Sequence, residues 1–178
     1  MSLEQRLKAV IRDIPDFPQP GVVFKDITPI LKDQELCDAI VEAFAAQINE
    51  LGIDVVAGVE SRGFLFGLML ANKLSVPFVP IRKQGKLPFK TISESYKLEY
   101  GQATIEIHED AFEAGCRVLI HDDLLATGGT VVAASKLIEK LGGTVAGYAF
   151  VISLDFLQSR GRLTRFSEEV VSLVSYND

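Results

Sequence analysis

Apolar positions recur along the chain in two alternating rhythms. Leu3, Leu7, Val10 and Ile11 are spaced three and four apart, which predicts an amphipathic helix over Leu3–Arg12. Pro15, Pro18 and Pro20 end it, because proline fixes φ and removes a backbone donor, and they impose an extended segment up to Gly21. A second helical rhythm spans Gln34–Asn49 and stops before Gly52. Asp54–Val59 is a short apolar run, too brief for a helix and suited to a strand covered on both faces. Helical spacing returns over Arg62–Lys73, followed by a strand at Phe78–Ile81. Ala103–Ile107 alternates like a strand with one wet face, and Arg117–Ile120 reads as a buried strand ended by His121, Asp122 and Asp123. A helix over Thr130–Leu141 closes at Gly142-Gly143, and Val145–Leu154 and Val170–Ser175 complete the series of strands. Short apolar strands alternating with helices predict an α/β fold, a mostly parallel sheet flanked by helices in one domain over residues 1–178.

One stretch keeps no rhythm. Arg82–Tyr100 contains Gly85, Pro88, Ser93 and Ser95 and is expected to be a long flexible loop or a loose hairpin, a length that in a compact domain signals function. Composition narrows the field further. At 48% hydrophobic and 24% charged, the chain has too much apolar material to remain disordered. Its 18 Lys and Arg against 24 Asp and Glu give a formal charge of −6. Such a surface repels nucleic acid and anionic lipid in bulk, so neither is an expected partner and any phosphate must be held by a local arrangement. Cys37 and Cys116 are far apart, which argues against a disulfide framework or a zinc site. No apolar run approaches the ~18 residues that span a bilayer, and Met1–Val10 lacks a signal-peptide core, so the expected compartment is the cytoplasm.

Candidate chemistry concentrates at the end of the Arg117–Ile120 strand. Open α/β sheets bind ligands beyond the carboxyl ends of their strands, often at a helix N-terminus. Asp122 and Asp123 offer acceptors for two neighbouring hydroxyls, as on a ribose. The turn Ala126-Thr127-Gly128-Gly129-Thr130 can aim backbone N–H groups and two hydroxyls at an oxyanion, its glycines allowing close approach. Read without further context, the acids also fit solvated caps and the glycines an ordinary turn. The glycine spacing matches neither a dinucleotide fingerprint nor a Walker loop.

The run Val118–Thr130, apolar residues followed by D-D-L-L-A-T-G-G-T, resembles the 5-phosphoribosyl-1-pyrophosphate (PRPP) motif of the type I phosphoribosyltransferases, in the form found in their adenine-specific branch. Gly21–Pro29, Glu60–Gly67, Val79–Lys83, Gly85–Pro88, Leu98–Gly101 and Gly147–Phe150 carry the same similarity, which extends from about residue 12 to residue 154. His121 departs from it, standing where the family strand is usually apolar. It reads either as a satisfied imidazole within the sheet or as a partner of Asp122 or Asp123.

The resemblance implies a purine-salvage reaction in which adenine and PRPP give AMP and pyrophosphate. Asp122, Asp123, Ala126, Thr127, Gly128, Gly129 and Thr130 would hold the ribose 5-phosphate of PRPP and AMP. Ser61, Arg62, Arg82, Lys83 and Lys86 would hold pyrophosphate, and Arg82, Lys83, Lys86 and Lys90 crowd into nine positions with no acid before Glu94. Adenine would stack between Phe24 and Leu124 while the backbone of Val23 and Lys25 reads its edge. Glu99 would protonate the purine, Arg62 would assist catalysis, and Tyr100 would flank the sugar. Mg²⁺ is the implied cofactor, carried by PRPP with no direct protein ligand assigned. A homodimer is implied, along with a hood formed by residues 1–33 and a lid within 82–100.

Overall fold

The computed structural model describes residues 1–98 and 101–178. Helix α1 (Leu3–Val10) begins at a reciprocal cap in which Ser2 accepts from the Gln5 amide and the Gln5 side chain accepts from the Ser2 amide. A small antiparallel ribbon follows, β1 (Arg12–Ile14) against β2 (Phe24–Asp26). Next come α2 (Gln34–Ile48), β3 (Val55–Val59), α3 (Gly63–Leu74), β4 (Phe78–Lys83), β5 (Thr91–Lys97) and β6 (Gln102–His108). The chain ends with β7 (Arg117–Leu125), α4 (Gly129–Lys140), β8 (Thr144–Leu154) and β9 (Val170–Tyr176).

Seven strands form one sheet in the order β5-β6-β4-β3-β7-β8-β9. Strands β4, β3, β7, β8 and β9 run parallel, while β6 and β5 add antiparallel pairings at one edge. All five residues of β3 and nine of the eleven in β8 are buried, consistent with apolar cover on both faces. On one face Leu36, Ile40, Phe44 and Ile48 of α2 pack with Phe66 and Leu70 of α3; on the other, Leu137 and Ile138 of α4 pack with Val118, Ile120 and Phe150. Among the described residues, no helix is long and apolar enough to cross a membrane. The expected mostly parallel α/β sheet is what the chain forms.

Two expectations need correction. Of the two alternatives for Arg82–Tyr100, the long loop does not hold: Thr91–Lys97 is strand β5, the first arm of an antiparallel pair with β6 that runs from Thr91 opposite His108 to Lys97 opposite Gln102. Its alternate positions Ile92, Glu94 and Tyr96 are the more buried ones. Glu94 meets Lys136 at 3.3 Å and Lys140 at 2.6 Å, and Tyr96 accepts a hydrogen bond from Thr130 on α4. A carboxylate and a phenol occupy positions where apolar residues would have announced a strand. The loop proper contracts to residues 84–90. The second correction concerns β7, which runs through Asp122 and Asp123 to Leu125 because Leu124 and Leu125 continue the register against Ile152 and Ser153 of the long β8.

The β3–α3 turn is pressed against β7. A Cβ on Gly63 would lie 2.9 Å from the His121 carbonyl and 3.1 Å from Asp122 Oδ1, so only glycine permits this approach. That contact brings Ser61 and Arg62 over the two aspartates.

Candidate active site

Three cavities open along the carboxyl ends of the parallel strands, and they share residues. The first, about 380 Å³, is lined by Ile14, Phe17, Phe24, Asp26, Thr28 and Arg62. The second, about 270 Å³ and mostly polar, is lined by Glu60, Ser61, Arg62, Lys83, Asp122 and Asp123. The third, about 80 Å³, is formed by Asp122, Leu124 and the run Ala126–Val131 at the start of α4. Arg62 belongs to the first and second, and Asp122 to the second and third. The site is therefore one continuous surface from an aromatic end to a glycine-rich end.

At the glycine-rich end, β7 delivers Leu125 and the chain turns through Gly128, at φ 80°, into the first turn of α4. Helix α4 contributes the positive end of its dipole, and Thr127 and Thr130 contribute hydroxyls. Tyr96 closes one flank: a Cβ on Gly129 would lie 3.3 Å from its ring, and Thr130 Oγ1 donates to its hydroxyl at 2.9 Å. A further cavity of about 140 Å³ brings Tyr96 and Thr130 together with Glu60, Arg82, Lys83 and Asp122. Tyr96 was missing from the sequence-derived site because its segment carried no strand signal.

In the centre, Asp123 is buried and faces Arg62 Nε at 3.0 Å, while its own amide donates to Asp122 Oδ1 at 2.8 Å. The Asp123 Oδ2 atom in that ion pair lacks hydrogen-bond geometry, so the contact is one of charge. Burial raises the proton affinity of both carboxyls. The effect is greater for Asp122, which also faces the charge of Asp123, whereas Arg62 pulls Asp123 back. Two crowded acids of this kind are ready for hydroxyl donors.

Among the basic residues, the structure separates Arg82 from the rest. Its guanidinium grips Glu60 through two contacts, 3.2 Å from Nε and 3.1 Å from the terminal nitrogen, and Glu60 also accepts from the Lys83 amide at 2.9 Å. These partners, Arg82 first, hold the Glu60 carboxyl below its usual range. Arg82 therefore fixes the peptide leading to Ser61, with its charge already matched. Lys83 and Lys86 remain exposed beside the cleft.

At the aromatic end, the Arg62 guanidinium lies 4.5 Å from the Phe24 ring centre, and Phe17 meets the same ring edge-on at 5.1 Å. Val23 is half-exposed. The Lys25 side chain turns away from the cleft, 2.8 Å from Asp13 and 4.0 Å from the Tyr176 ring centre. Leu124 lines the glycine-rich cavity and not the one containing Phe24, so the two expected stacking partners do not share a cavity here. Glu99 and Tyr100 lie outside the described residues.

His121 fits neither expected reading. It is fully buried, packs edge-on against Phe44 at 5.5 Å, and neither ring nitrogen has a hydrogen-bond partner among the described residues. Burial lowers its pKa to about 4, the Ala149 backbone acting in the opposite direction. Its position in β7 sends the ring to the α2 face, opposite to the side chain of the adjacent Asp122.

Residues 29–172 match the phosphoribosyl transferase domain family. An adenine phosphoribosyltransferase from Cytophaga hutchinsonii is 54% identical over 174 residues, covering 98% of this chain and 96% of that protein. The crystal structure of the Thermoanaerobacter pseudethanolicus adenine phosphoribosyltransferase superimposes with a TM-score of 0.94 at 48% identity, covering 98% of this chain and all of the other. The Saccharomyces cerevisiae enzyme, solved with adenine and an imino-altritol bisphosphate, gives a TM-score of 0.89 at 41% identity over 96% of this chain and 98% of that one. With the motif, the sheet and the linked cavities in agreement with these relatives, the chain belongs to the adenine phosphoribosyltransferases, purine-salvage enzymes that transfer the 5-phosphoribosyl group of PRPP to adenine.

Proposed function

We propose that the three linked cavities divide the substrates among them: adenine against Phe24, pyrophosphate over Ser61, Arg62, Lys83 and Lys86, and the 5-phosphate in the Ala126–Thr130 turn, with the ribose hydroxyls on Asp122 and Asp123. The observation that carries this reading is the sharing of Arg62 and Asp122 between adjacent cavities. A substrate with a base, a charged leaving group and a distal phosphate needs that sequence of environments. The reaction separates pyrophosphate from an anomeric carbon of oxocarbenium-like character, so its barrier falls most where fixed positive groups meet the leaving oxygens. Arg62 does this from the start of α3. Arg82 acts through Glu60, holding the Ser61 peptide in position. Ribose hydroxyls donating to Asp122 and Asp123 favour the ionised carboxylates and offset the burial that raises their proton affinity.

Mg²⁺ fits this donor set as an ion brought by PRPP. Among the described residues no three His, Cys, Asp or Glu converge on a common point, and Mg²⁺ usually keeps waters and substrate oxygens as ligands. Asp122 and Asp123 would hold it through the ribose, and when bound it supplies charge neutralisation on pyrophosphate. Glu99 protonates the purine and Tyr100 flanks the sugar, on the strength of the family motif. Residues 1–33 form the hood over the base, and residues 84–90 supply the moving part of the lid. The protein acts in the cytoplasm as a homodimer; the outward Leu65 and Leu68 of α3, 39% and 58% exposed, supply apolar area for the contact.

Adenine-dependent release of pyrophosphate from PRPP with Mg²⁺ tests the assignment, and faster turnover of guanine or xanthine would overturn the base site. Glu99→Gln lowers kcat more than it raises KM; a change in KM alone would remove Glu99 from the proton transfer. Light scattering should return twice the 19.5 kDa chain mass.

A further inference from the structure

The wall behind the glycine-rich turn is built by the segment that follows β8, which the substrate assignment leaves without a role. This segment makes two short 3-10 turns, Asp155–Leu157 and Ser159–Arg162, before the buried Leu163. Ser159, 3% exposed, lies directly behind Gly128, where a Cβ would come within 3.3 Å of its own. Arg160 anchors the segment to β9, donating to Ser172 Oγ at 2.6 Å and to the Val170 carbonyl at 3.3 Å. Arg162 then reaches the turn itself, donating to the Thr127 carbonyl at 2.7 Å.

We propose that Arg162 is a positioning residue for the 5-phosphate, acting through the Thr127–Gly128 peptide. This rests on the reading that the Ala126–Thr130 turn holds that phosphate. The Thr127–Gly128 peptide is trans, so its carbonyl and its N–H point in opposite directions. Holding the carbonyl from outside therefore fixes the Gly128 N–H on the cavity side, and no described residue accepts from that N–H. Gly128 has wide backbone freedom, and the Arg162 contact selects one orientation of it. A guanidinium on the carbonyl also polarises the peptide and makes its N–H a stronger donor to an anion. At 2.7 Å the bond is in the range of charge-assisted contacts.

Arg162→Ala, Arg162→Lys and the control Arg165→Ala distinguish positioning from bulk charge. Arg165 removes the same charge three residues away, where its guanidinium rests over Phe166 at 5.0 Å. Loss of a charge-assisted hydrogen bond predicts a rise of about tenfold in the KM for PRPP in Arg162→Ala, with AMP affinity falling by a similar factor. The KM for adenine and the thermal midpoint stay near wild type because the side chain is exposed, kcat changes less than KM, and Arg162→Lys recovers part of the loss. Arg165→Ala leaves the KM for PRPP unchanged. A KM for PRPP within about twofold of wild type in Arg162→Ala, or equal rises for PRPP and adenine, overturns the proposal. If the wild-type protein forms no AMP from PRPP, the phosphate reading fails and takes this one with it. Normal wild-type turnover with an unaffected Arg162→Ala defeats this proposal alone.

Discussion

The two ends of the site are made by opposite strategies. The glycine-rich end is backbone: a turn between the central strand β7 and α4, flanked by Tyr96 on one side and by Ser159 and Arg162 on the other. The aromatic end is side chain: Phe24 on a three-residue strand, Phe17 against its edge, and Arg62 above its ring. The ribbon β1–β2 that carries Phe24 pairs only with itself, and two short strands alone are marginal in water. In the proposed assignment a tetrahedral oxyanion is met by backbone N–H groups of the turn, which need particular torsions. A flat heterocycle is met by stacked surfaces, which need only the right side chains. Substitutions should therefore act through conformation at one end and through contact area at the other.

The largest expected effect follows from backbone conformation. Gly128 sits at φ 80°, and any Cβ there meets Ser159 at 3.3 Å. Gly128→Val adds ~1–2 kcal/mol of left-handed strain and a branched group at the cavity wall. We expect a loss of about a thousandfold in kcat/KM for PRPP, roughly 4 kcal/mol, measured by initial rates. Adenine binding, followed by calorimetry in the absence of PRPP, should survive. A variant with an unchanged KM for PRPP would erase the contrast between the two ends.

The same contrast explains what could be read from the chain before its fold was known. Val118–Thr130 was legible as a strand end turning into a helix because its pattern is local: acids, then two glycines, then a helix start, while its proposed phosphate role came from the family resemblance. Fold class was legible because β3 and β8 are uninterrupted apolar runs. Tyr96 and Glu94 were not, since they face α4 from a strand whose inward positions are polar and whose partners Thr130, Lys136 and Lys140 lie more than thirty residues away. Arg162 was hidden for the same reason, because its partner Thr127 is 35 residues distant. The bidentate pairing that commits Arg82 to Glu60 also required the β3–β4 register before it could be seen.

Acid should expose a difference in the foundations of the two ends. His121, one residue before Asp122, is neutral when folded, with its pKa lowered to about 4 from an ordinary 6.5. Well above 6.5 neither state carries the proton and His121 contributes nothing to the pH dependence of stability. As pH falls from 6.5 towards 4 the unfolded chain takes up a proton that the native core refuses, and the protein loses up to ~3 kcal/mol from this group. Asp122 and Asp123 act in the opposite sense, because their raised proton affinity relieves the native state as pH falls. The imidazole contribution is therefore read as the difference between wild type and His121→Val in urea unfolding across this range. The variant should lose less stability on acidification; parallel curves would mean that the buried ring is protonated without cost.

The smallest of these effects belongs to the aromatic end. Phe24→Ala removes a stacking surface, and aromatic contacts of this kind contribute ~0.5–1.5 kcal/mol beyond their buried area. The KM for adenine should rise by about tenfold while the KM for PRPP stays within about twofold, the reverse of the pattern expected at Gly128. Arg62 complicates the reading because it touches both Phe24 and Asp123. Removing the ring deprives the guanidinium of one support but leaves the ion pair to Asp123, so its position over the central cavity should persist. If the KM for PRPP instead rises in step with that for adenine, the ring is holding Arg62 for the leaving group. The aromatic end would then serve both substrates, and the division between backbone and side-chain recognition would have to be redrawn through Arg62.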